Sequence, residues 1–209
     1  MNTGSWMSAA MAGVIAFSGI AQAQDEEEKK PLDLDLIINA MPASILISTS
    51  SDKFKAIDGD GTATSMSQLF TMPNLLVGVG MDIGDNWYVD ATIGPGIIIN
   101  DNFRSVFFQG VLAANYLVSD SFQLGPRVGF VQHIDPEWTE DDTLEFDETT
   151  GYLIGIWAGM GERVKYWVSV DIMVNEFDTT VNSGTTTSDD DDKFELNGVA
   201  IQFGVRGEF

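Results

Sequence analysis

The sequence has 209 residues, with 32 acidic against 10 basic side chains and a net charge of −22. So few basic groups cannot neutralise a run of phosphates, which excludes nucleic acid as a partner. Cysteine is absent and histidine occurs once. A disulfide framework, a thiolate metal site and a multi-histidine metal site within one chain are therefore excluded, and we expect no cofactor.

The first 23 residues have the pattern of a secretory signal peptide. An apolar core runs from about Ala9 to Ile20, and residues 21–23 (Ala-Gln-Ala) form a small-x-small cleavage site, although the usual Lys or Arg before the core is missing. Residues 24–31 form a charged leader. After them no apolar run reaches the roughly 18–20 residues of a spanning helix, which excludes a helical membrane protein. A membrane β-barrel stays possible, because each of its strands is apolar only at every second position.

The first strand candidate spans Pro31–Thr49, at the start of a barrel domain that we place at residues 32–209. Every second residue is apolar from Leu32 to Ile38 and again from Met41 to Ile47, but in the opposite phase. A slip of one residue exchanges the two faces of a strand. We therefore predict a β-bulge near residues 40–42.

Seven further strands alternate more regularly, with apolar residues on one face and glycine or polar residues on the other. In Val164–Asn175, for example, the apolar face begins with Val164, Tyr166 and Val168. The seven strands are Asn74–Ile83, Trp87–Ile99, Val106–Val118, Phe122–His133, Gly151–Gly161, Val164–Asn175 and Phe194–Phe209.

The connections between these strands differ at the two ends. Residues 84–86, 119–121 and 161–163 read as tight turns, whereas 50–71, 135–149 and 178–193 read as long polar loops, and only 100–104 is short on that side. Short turns at one end and long loops at the other are typical of outer-membrane barrels. A soluble β-sandwich or lipocalin-like barrel is the alternative, but it would bury the uniformly large apolar face and expose the glycine-rich one.

The last strand ends on an aromatic residue. Phe209 follows apolar residues at alternate positions, among them Val205, Phe203 and Ile201. In this it resembles the C-terminal strand of bacterial outer-membrane barrels, and residues 32–209 together resemble the small eight-stranded barrels of the OmpA and OmpX kind. The resemblance implies an all-β, eight-stranded antiparallel up-and-down transmembrane β-barrel in a Gram-negative outer membrane, with both termini periplasmic. It also implies that Phe209 is an assembly signal for the outer-membrane assembly machinery.

The face predicted to point into the barrel carries nearly balanced charges. An unpaired charge shielded from water costs roughly several kcal/mol, so we expect these groups to pair. Our hypothesis is an ion-paired plug of the lumen, which favours a structural or surface-interaction role. The alternative is a narrow passive channel for small solutes or ions, lined by the same groups, for which the many inward glycines leave some room. The plug would consist of Asp90, Arg127, Asp171 and Arg206 with Lys165 and Glu208, and the remaining inward polar residues are Asp82, Gln109, Asn115, Gln123 and Gln202.

The predicted loops are strongly acidic. Residues 135–148 contain eight acidic residues, and 189–192 are four consecutive aspartates. Such segments usually form a solvated, repulsive surface. Carboxylate clusters also bind divalent cations, so Asp189, Asp190, Asp191 and Asp192 form a possible site that could bridge to outer-membrane lipids and the phosphates of lipopolysaccharide. Residues 58–61 (Asp-Gly-Asp-Gly) start like a calcium loop, but Leu69 stands where an EF-hand needs glutamate.

His133 is the one residue that suggests catalysis. It lies near the loop end, faces inward by parity, and has Asp135 and Glu137 nearby. No serine stands beside it in the sequence to act as a nucleophile. We therefore expect a polar rim residue, assign no catalytic residue, and keep an outer-leaflet lipid-modifying enzyme only as a distant alternative.

Overall fold

The computed structural model describes residues 33–51, 55–57, 63–139, 144–181, 186–187 and 193–209. Residues 33–209 belong to one compact unit. The signal peptide and leader predicted for residues 1–31 lie outside the described residues. The strands are β1 (Asp35–Ser48), β2 (Lys55–Ile57), β3 (Ala63–Ser65), β4 (Leu69–Thr71), β5 (Asn74–Ile83), β6 (Trp87–Ile99), β7 (Phe103–Ser119), β8 (Phe122–Trp138), β9 (Leu144–Phe146), β10 (Thr150–Gly161), β11 (Val164–Val174), β12 (Glu176–Val181), β13 (Thr186–Thr187), β14 (Lys193–Glu195) and β15 (Gly198–Glu208).

Eight of these strands close into a ring. Each strand of the ring pairs antiparallel with the next, in the order β1, β5, β6, β7, β8, β10, β11 and β15. The ring closes because β15 also pairs with β1, for example at Ile38↔Gly207. Closure gives every wall strand a pairing partner on both sides, so the ring has no free edge strand. The predicted eight-stranded antiparallel up-and-down transmembrane β-barrel is confirmed.

The predicted strand positions agree closely with the structure. β5 and β6 have the predicted bounds, and the turn between them contains Gly84 with φ of 66°, a conformation that glycine adopts without steric cost. The predicted bulge is also present, because the register between β1 and β15 shifts between Ala40 and Ala43. The change of phase in the sequence thus marked a real interruption of the ladder.

The prediction that residues 135–149 and 178–193 are simply polar loops was wrong. β7 and β8 continue beyond the predicted ends, and β9, β12 and β14 carry the pairing further through pairs such as Phe177↔Phe194 and Thr180↔Glu145. The many acidic residues of this region alternate with buried apolar ones, among them Leu144 and Phe146. Strand formation therefore persists where average polarity suggested loops. We call this part the extension (residues 103–105, 134–138, 144–146, 176–181 and 193–195).

The outer face of the ring exposes large apolar side chains on every strand. β11 exposes Val164, Val168 and Ile172 within a strand of 11 residues, which matches the nine to eleven residues of a strand that crosses a bilayer. A water-soluble protein rarely exposes a continuous apolar surface of this size. We call this surface the belt. One member from each wall strand, between 39% and 59% exposed, is Ile38, Val77, Ile93, Leu112, Val128, Ile154, Val170 and Phe203. Among the described residues, no helix is long and apolar enough to cross a membrane.

The interior consists of two layers. Towards the turn end, the buried side chains are the charged ones expected from the sequence. Towards the extension most of them are apolar and many are aromatic, which the expectation of a polar interior throughout did not include. We call the second group the apolar layer: Met41, Met66, Phe70, Met72, Leu76, Ile98, Phe103, Phe107, Trp138, Phe146, Phe177 and Phe194.

Candidate functional site: the lumen floor and the wall groove

A first ion-paired network lies at the turn end of the lumen. Arg206 Nη1 donates to Asp90 Oδ2 over 2.9 Å, and Arg206 Nε donates to Glu208 Oε1 over 2.7 Å. Lys165 pairs with the other oxygen of Glu208, and Asn115 Nδ2 donates to Asp90 Oδ2 over 2.8 Å. Each carboxylate thus has at least one cationic partner, as burial requires.

A second network lies beside the first. Arg127 Nε is 3.0 Å from Asp171 Oδ1, a charge contact that is not aligned for a hydrogen bond. Arg127 Nη2 donates to Gln202 Oε1 over 3.3 Å, and Ser169 Oγ donates to Asp171 Oδ2 over 2.7 Å. Arg127 and Asp171 are 5% and 0% exposed. Their mutual attraction therefore acts in a poorly screened environment.

All six residues predicted for the plug belong to these two networks, which we call the floor. The floor contains three cationic and three anionic side chains, so its formal charge balances. Asp82 shares the inward parity but is exposed, because it stands at the end of β5 where the lumen opens.

Aromatic rings cover both arginines of the floor. The Arg206 guanidinium lies 5.4 Å from the ring centroid of Tyr88 and 5.1 Å from that of Trp157, and Arg127 lies 5.6 Å from that of Trp167. These distances suit cation–π attraction. Sequence reasoning assigned these rings no role, although Trp157 and Trp167 share the inward parity of their strands.

Aromatic rings lie beside two of the inward glycines. A Cβ placed on Gly80 would lie 2.2 Å from Tyr88 Oη, and one on Gly204 would lie 2.8 Å from Trp167 Nε1. The aromatic rings therefore occupy the space that these glycines free. The cavity that remains beside the floor measures about 20 Å³, room for about one water molecule. At these two glycines, aromatic rings fill the room that the sequence attributed to the lumen.

His133 lies inside the barrel between two polar side chains. His133 Nδ1 is 3.3 Å from Ser105 Oγ, and His133 Nε2 is 3.3 Å from Asn175 Oδ1. Sequence reasoning did not find Ser105, because 28 positions separate it from His133 and only the β7–β8 pairing brings them together. All three residues are at most 1% exposed. A lipid in the surrounding membrane does not reach the imidazole in this arrangement.

The regular pairing of the barrel wall breaks where three neighbouring chain segments each carry a proline, although Met72 N still donates to Ser44 O over 2.8 Å and Ile97 N to Pro73 O over 3.1 Å. Pairing of β1 with β5 ends at Met41↔Asn74 and resumes with β4 at Ile45↔Thr71. Pairing of β5 with β6 skips from Asn74↔Gly96 to Val77↔Ile93. The prolines are Pro42, Pro73 and Pro95. Proline has no backbone N–H to donate, so it weakens a ladder at the position it occupies.

A groove opens at this interruption, with a volume of about 440 Å³. Its lining combines outward residues such as Leu75, 47% exposed, with inward residues such as Met41, which is fully buried in the apolar layer. The exposed part of the lining is apolar, so the groove is an open apolar depression in the belt. Its lining residues are Ala40, Met41, Pro42, Pro73, Asn74, Leu75, Pro95, Gly96 and Ile97.

The predicted divalent cation site lies outside the described residues. This applies to Asp189, Asp190, Asp191 and Asp192, and also to residues 58–61 of the calcium-loop-like segment. Within the part of the chain that the structure describes, no group of three or more histidines or acidic residues is placed to hold a metal ion.

Comparison with known proteins identifies the fold. The outer membrane protein OprG from Pseudomonas aeruginosa superposes with a TM-score of 0.50 at 12% identity, over 85% of this chain and 97% of OprG. The outer membrane protein AlkL, solved by solid-state NMR in lipid bilayers, gives a TM-score of 0.48 at 12% identity, over 90% of this chain and 96% of AlkL. No protein-family model and no curated protein matches the sequence. The fold is that of a small bacterial outer-membrane β-barrel.

Proposed function

We propose that this outer-membrane barrel passes small apolar molecules between its interior and the surrounding lipid, while its turn end stays closed to water and ions. The observation that carries the proposal is the apolar groove at Pro42, Pro73 and Pro95, where the regular pairing of the wall breaks directly beside the apolar layer. A molecule that enters from the extension side would leave sideways through the groove, without crossing the charged floor.

The floor supports the proposal that the turn end of the barrel is closed to water and ions. Its arginines are buried, paired with carboxylates and covered by aromatic rings. Removing one member of a buried ion pair costs about 3–5 kcal/mol. An ion or polar solute that crosses the lumen would have to break such contacts, whereas an apolar molecule in the groove breaks none.

The side chains behind the groove support the proposal that an apolar molecule can pass through the wall. Met41, Met66 and Met72 are all at most 2% exposed and belong to the apolar layer. Methionine is unbranched and flexible, so it can rearrange around a guest at low cost. The layer could thus admit a small apolar molecule without breaking a hydrogen bond.

Uptake of a neutral naphthylamine dye tests the proposal. Bacterial cells that make the protein should take up the dye faster than cells that lack it. Ala40→Trp, which fills the groove from the belt side, should abolish the difference. Ala158→Trp places the same bulk on the belt away from the groove and should leave uptake unchanged. Equal rates for all four strains would refute apolar passage.

A structural or surface-interaction role is the second candidate, favoured by the extension. This part has its own aromatic packing and an acidic outer face that includes Glu145, Glu176 and Asp178. Its Glu137↔Glu145 and Glu176↔Glu195 pairs place like charges opposite each other, and Arg104 and Lys193 pair with Glu137 and Glu176. Outer-membrane lipids and lipopolysaccharide bridged by divalent cations would be the partners. Binding of lipopolysaccharide vesicles that survives a chelator would argue against the cation bridge.

Two other activities are alternatives to these proposals. A narrow passive channel for polar solutes or ions requires an open floor, which conductance measurements decide directly. A lipid-modifying enzyme would depend on His133, the one histidine of the sequence, so lipid hydrolysis that disappears in His133→Ala would establish that alternative. The predicted location, with both termini periplasmic and Phe209 as the assembly signal, is part of the same proposal.

A further inference from the structure

The groove continues along the outer face of the wall towards the extension. Ile97 lines the groove, and Ile99 follows it two residues later on the same outward face of β6. β4 pairs with β6 at Thr71↔Ile99 and adds Leu69, which is 54% exposed. The apolar surface of the groove therefore reaches along β6 to Ile99.

A basic side chain stands where this apolar surface ends. Arg104 pairs with Ile99 across the β6–β7 ladder, so both side chains are on the outward face, and Arg104 is exposed. Towards the turn end, the next outward residues of β7 are Val106 and Phe108, which belong to the belt. On β8, Arg104 faces Glu137. A change from apolar to charged side chains on the outer face marks the edge of the apolar band of a membrane barrel, so Arg104 lies at the level of the lipid head groups.

The groove and Arg104 are close enough for a single lipid to contact both. The step from Ile97 to Ile99 is roughly 7 Å along the strand, and the step from β6 to β7 is roughly 5 Å across the sheet. The groove volume of about 440 Å³ is in the range of pockets that hold small ligands. Since the groove opens in the belt, the molecules that surround it are lipid acyl chains.

The charges of the outer face favour an anionic head group at Arg104. Arg104 pairs with Glu137 through Nη2, and a guanidinium carries several further N–H donors. Its planar arrangement of donors matches the oxygens of a phosphate. Elsewhere the outer face of the extension carries acidic residues such as Glu145, Glu176 and Asp178, which repel a phosphate. Arg104 is therefore the point beside the groove at which a phosphate is attracted.

We propose that the groove and Arg104 together bind one phosphorylated membrane lipid, with an acyl chain in the groove and the phosphate on the Arg104 guanidinium. This inference goes beyond the proposed passage of apolar molecules and does not depend on it. The site also requires no divalent cation, in contrast to the lipopolysaccharide contact of the extension. Glu137 competes with the phosphate for the guanidinium, so the charge of Glu137 weakens lipid binding.

Two photoreactive lipids isolate the contribution of the phosphate. Phosphatidate and diacylglycerol with the same acyl chains, one of which carries a diazirine, are each added in trace amounts to phosphatidylcholine vesicles that contain the protein. Mass spectrometry then measures cross-linking to Leu75 and Ile97 of the groove and to Ile154 and Ile156 of β10, on the other side of the ring. We expect phosphatidate to label the groove about fivefold more than diacylglycerol, the effect of one basic side chain on an anionic lipid. Both lipids should label β10 equally.

Variants assign the preference to Arg104. Arg104→Gln should make the two lipids label the groove equally, whereas Glu137→Gln should increase the preference for phosphatidate. If the Arg104–Glu137 pair had only a structural role, both variants would change labelling in the same direction. Arg163→Gln is the matched control, because Arg163 is exposed at the turn end, and it should keep the fivefold ratio.

The remaining outcomes would overturn the lipid site. Equal labelling of the groove by the two lipids in the wild type would show that the groove holds only exchanging bilayer lipid. A preference that persists in Arg104→Gln, or that falls in Glu137→Gln, would exclude the phosphate contact. Cross-links between two copies of the chain at Leu75, without lipid labelling there, would assign the groove to a second copy. Dye uptake tests passage separately, so each proposal can fail alone.

Discussion

Arg206 Nη1 and Asp90 Oδ2 lie 2.9 Å apart inside the barrel, although 116 positions separate the two residues in the chain. β15 and β6 are not neighbours in the wall, so this contact crosses the lumen. It joins opposite sides of the floor. The pair is therefore placed to decide whether ions can pass.

Single-channel conductance in a planar bilayer tests that position. We expect the wild-type protein to stay silent, whereas Asp90→Ala and Arg206→Ala should show openings because each removes one partner of the cross-lumen pair. Phe108→Ala, on the belt, is the control and should stay silent. Steady ion-selective conductance in the wild type would contradict a closed floor and establish a channel.

The Arg127–Asp171 pair should contribute far more to the free energy of unfolding than a surface ion pair does. Arg127→Met leaves the buried Asp171 unpaired and should lower the free energy of unfolding by about 3–5 kcal/mol. The double variant Arg127→Met/Asp171→Leu should recover much of the loss, because no charge is then left buried. Urea unfolding in detergent or lipid vesicles measures each value.

Arg104→Met is the matched control for that series. Arg104 pairs with Glu137 on the outer face, where the side chains are 55% and 39% exposed. Exposed pairs contribute about 0–1 kcal/mol, so Arg104→Met should change stability little. A loss as large as that of Arg127→Met would show that burial does not govern these pairs.

Gly80 should tolerate a side chain only when Tyr88 is shortened. Gly80→Val places atoms where the Tyr88 ring lies, and overpacking of this kind costs about 1–3 kcal/mol. Adding Tyr88→Ala to Gly80→Val should restore part of the loss, and Tyr88→Ala alone provides the reference. Thermal unfolding monitored by circular dichroism gives the comparison. Additive effects of the two substitutions would rule out the contact.

Phe103 should hold the extension together. Its ring centroid lies between 5.4 and 6.3 Å from those of Phe70, Phe146, Phe177 and Phe194. Replacing a buried phenylalanine by alanine costs about 3–5 kcal/mol, so Phe103→Ala should make the extension sensitive to limited proteolysis.

Phe108→Ala controls for the loss of a ring on the same strand. Phe108 is 39% exposed on the belt, so its replacement should leave the extension protease-resistant. Equal cleavage of the two variants would indicate that the aromatic packing does not stabilise the extension.

Sequence reasoning succeeded where the signal was local. The alternation in β5 and β6 predicted their bounds, since a side-chain period of two is a property of a single extended segment. The phase change near Ala40 predicted the bulge for the same reason. It failed for the extension, because the count of acidic residues there outweighed the alternation of Leu144, Phe146 and Phe177.

The groove and the Ser105–His133 contact were missed for a different reason. Pro42, Pro73 and Pro95 are ordinary in their own segments, and only the register of the wall sets them side by side. In the same way, only the pairing of β7 with β8 brings Ser105 to His133. No signal within one segment reports on such neighbours.

The sequence by itself determined that this chain folds as an eight-stranded membrane barrel and which side chains face its interior, because strand period, turn position and the length of the belt are local properties. Only the tertiary structure decided which interior groups meet. Register and closure decide which groups are the partners of Arg206 and Arg127 and which rings fill the glycine positions. They also decide the apolar layer and the groove. Register and closure depend on how segments that are distant in the sequence pack against each other. The free energy of that packing is not a property of any single strand.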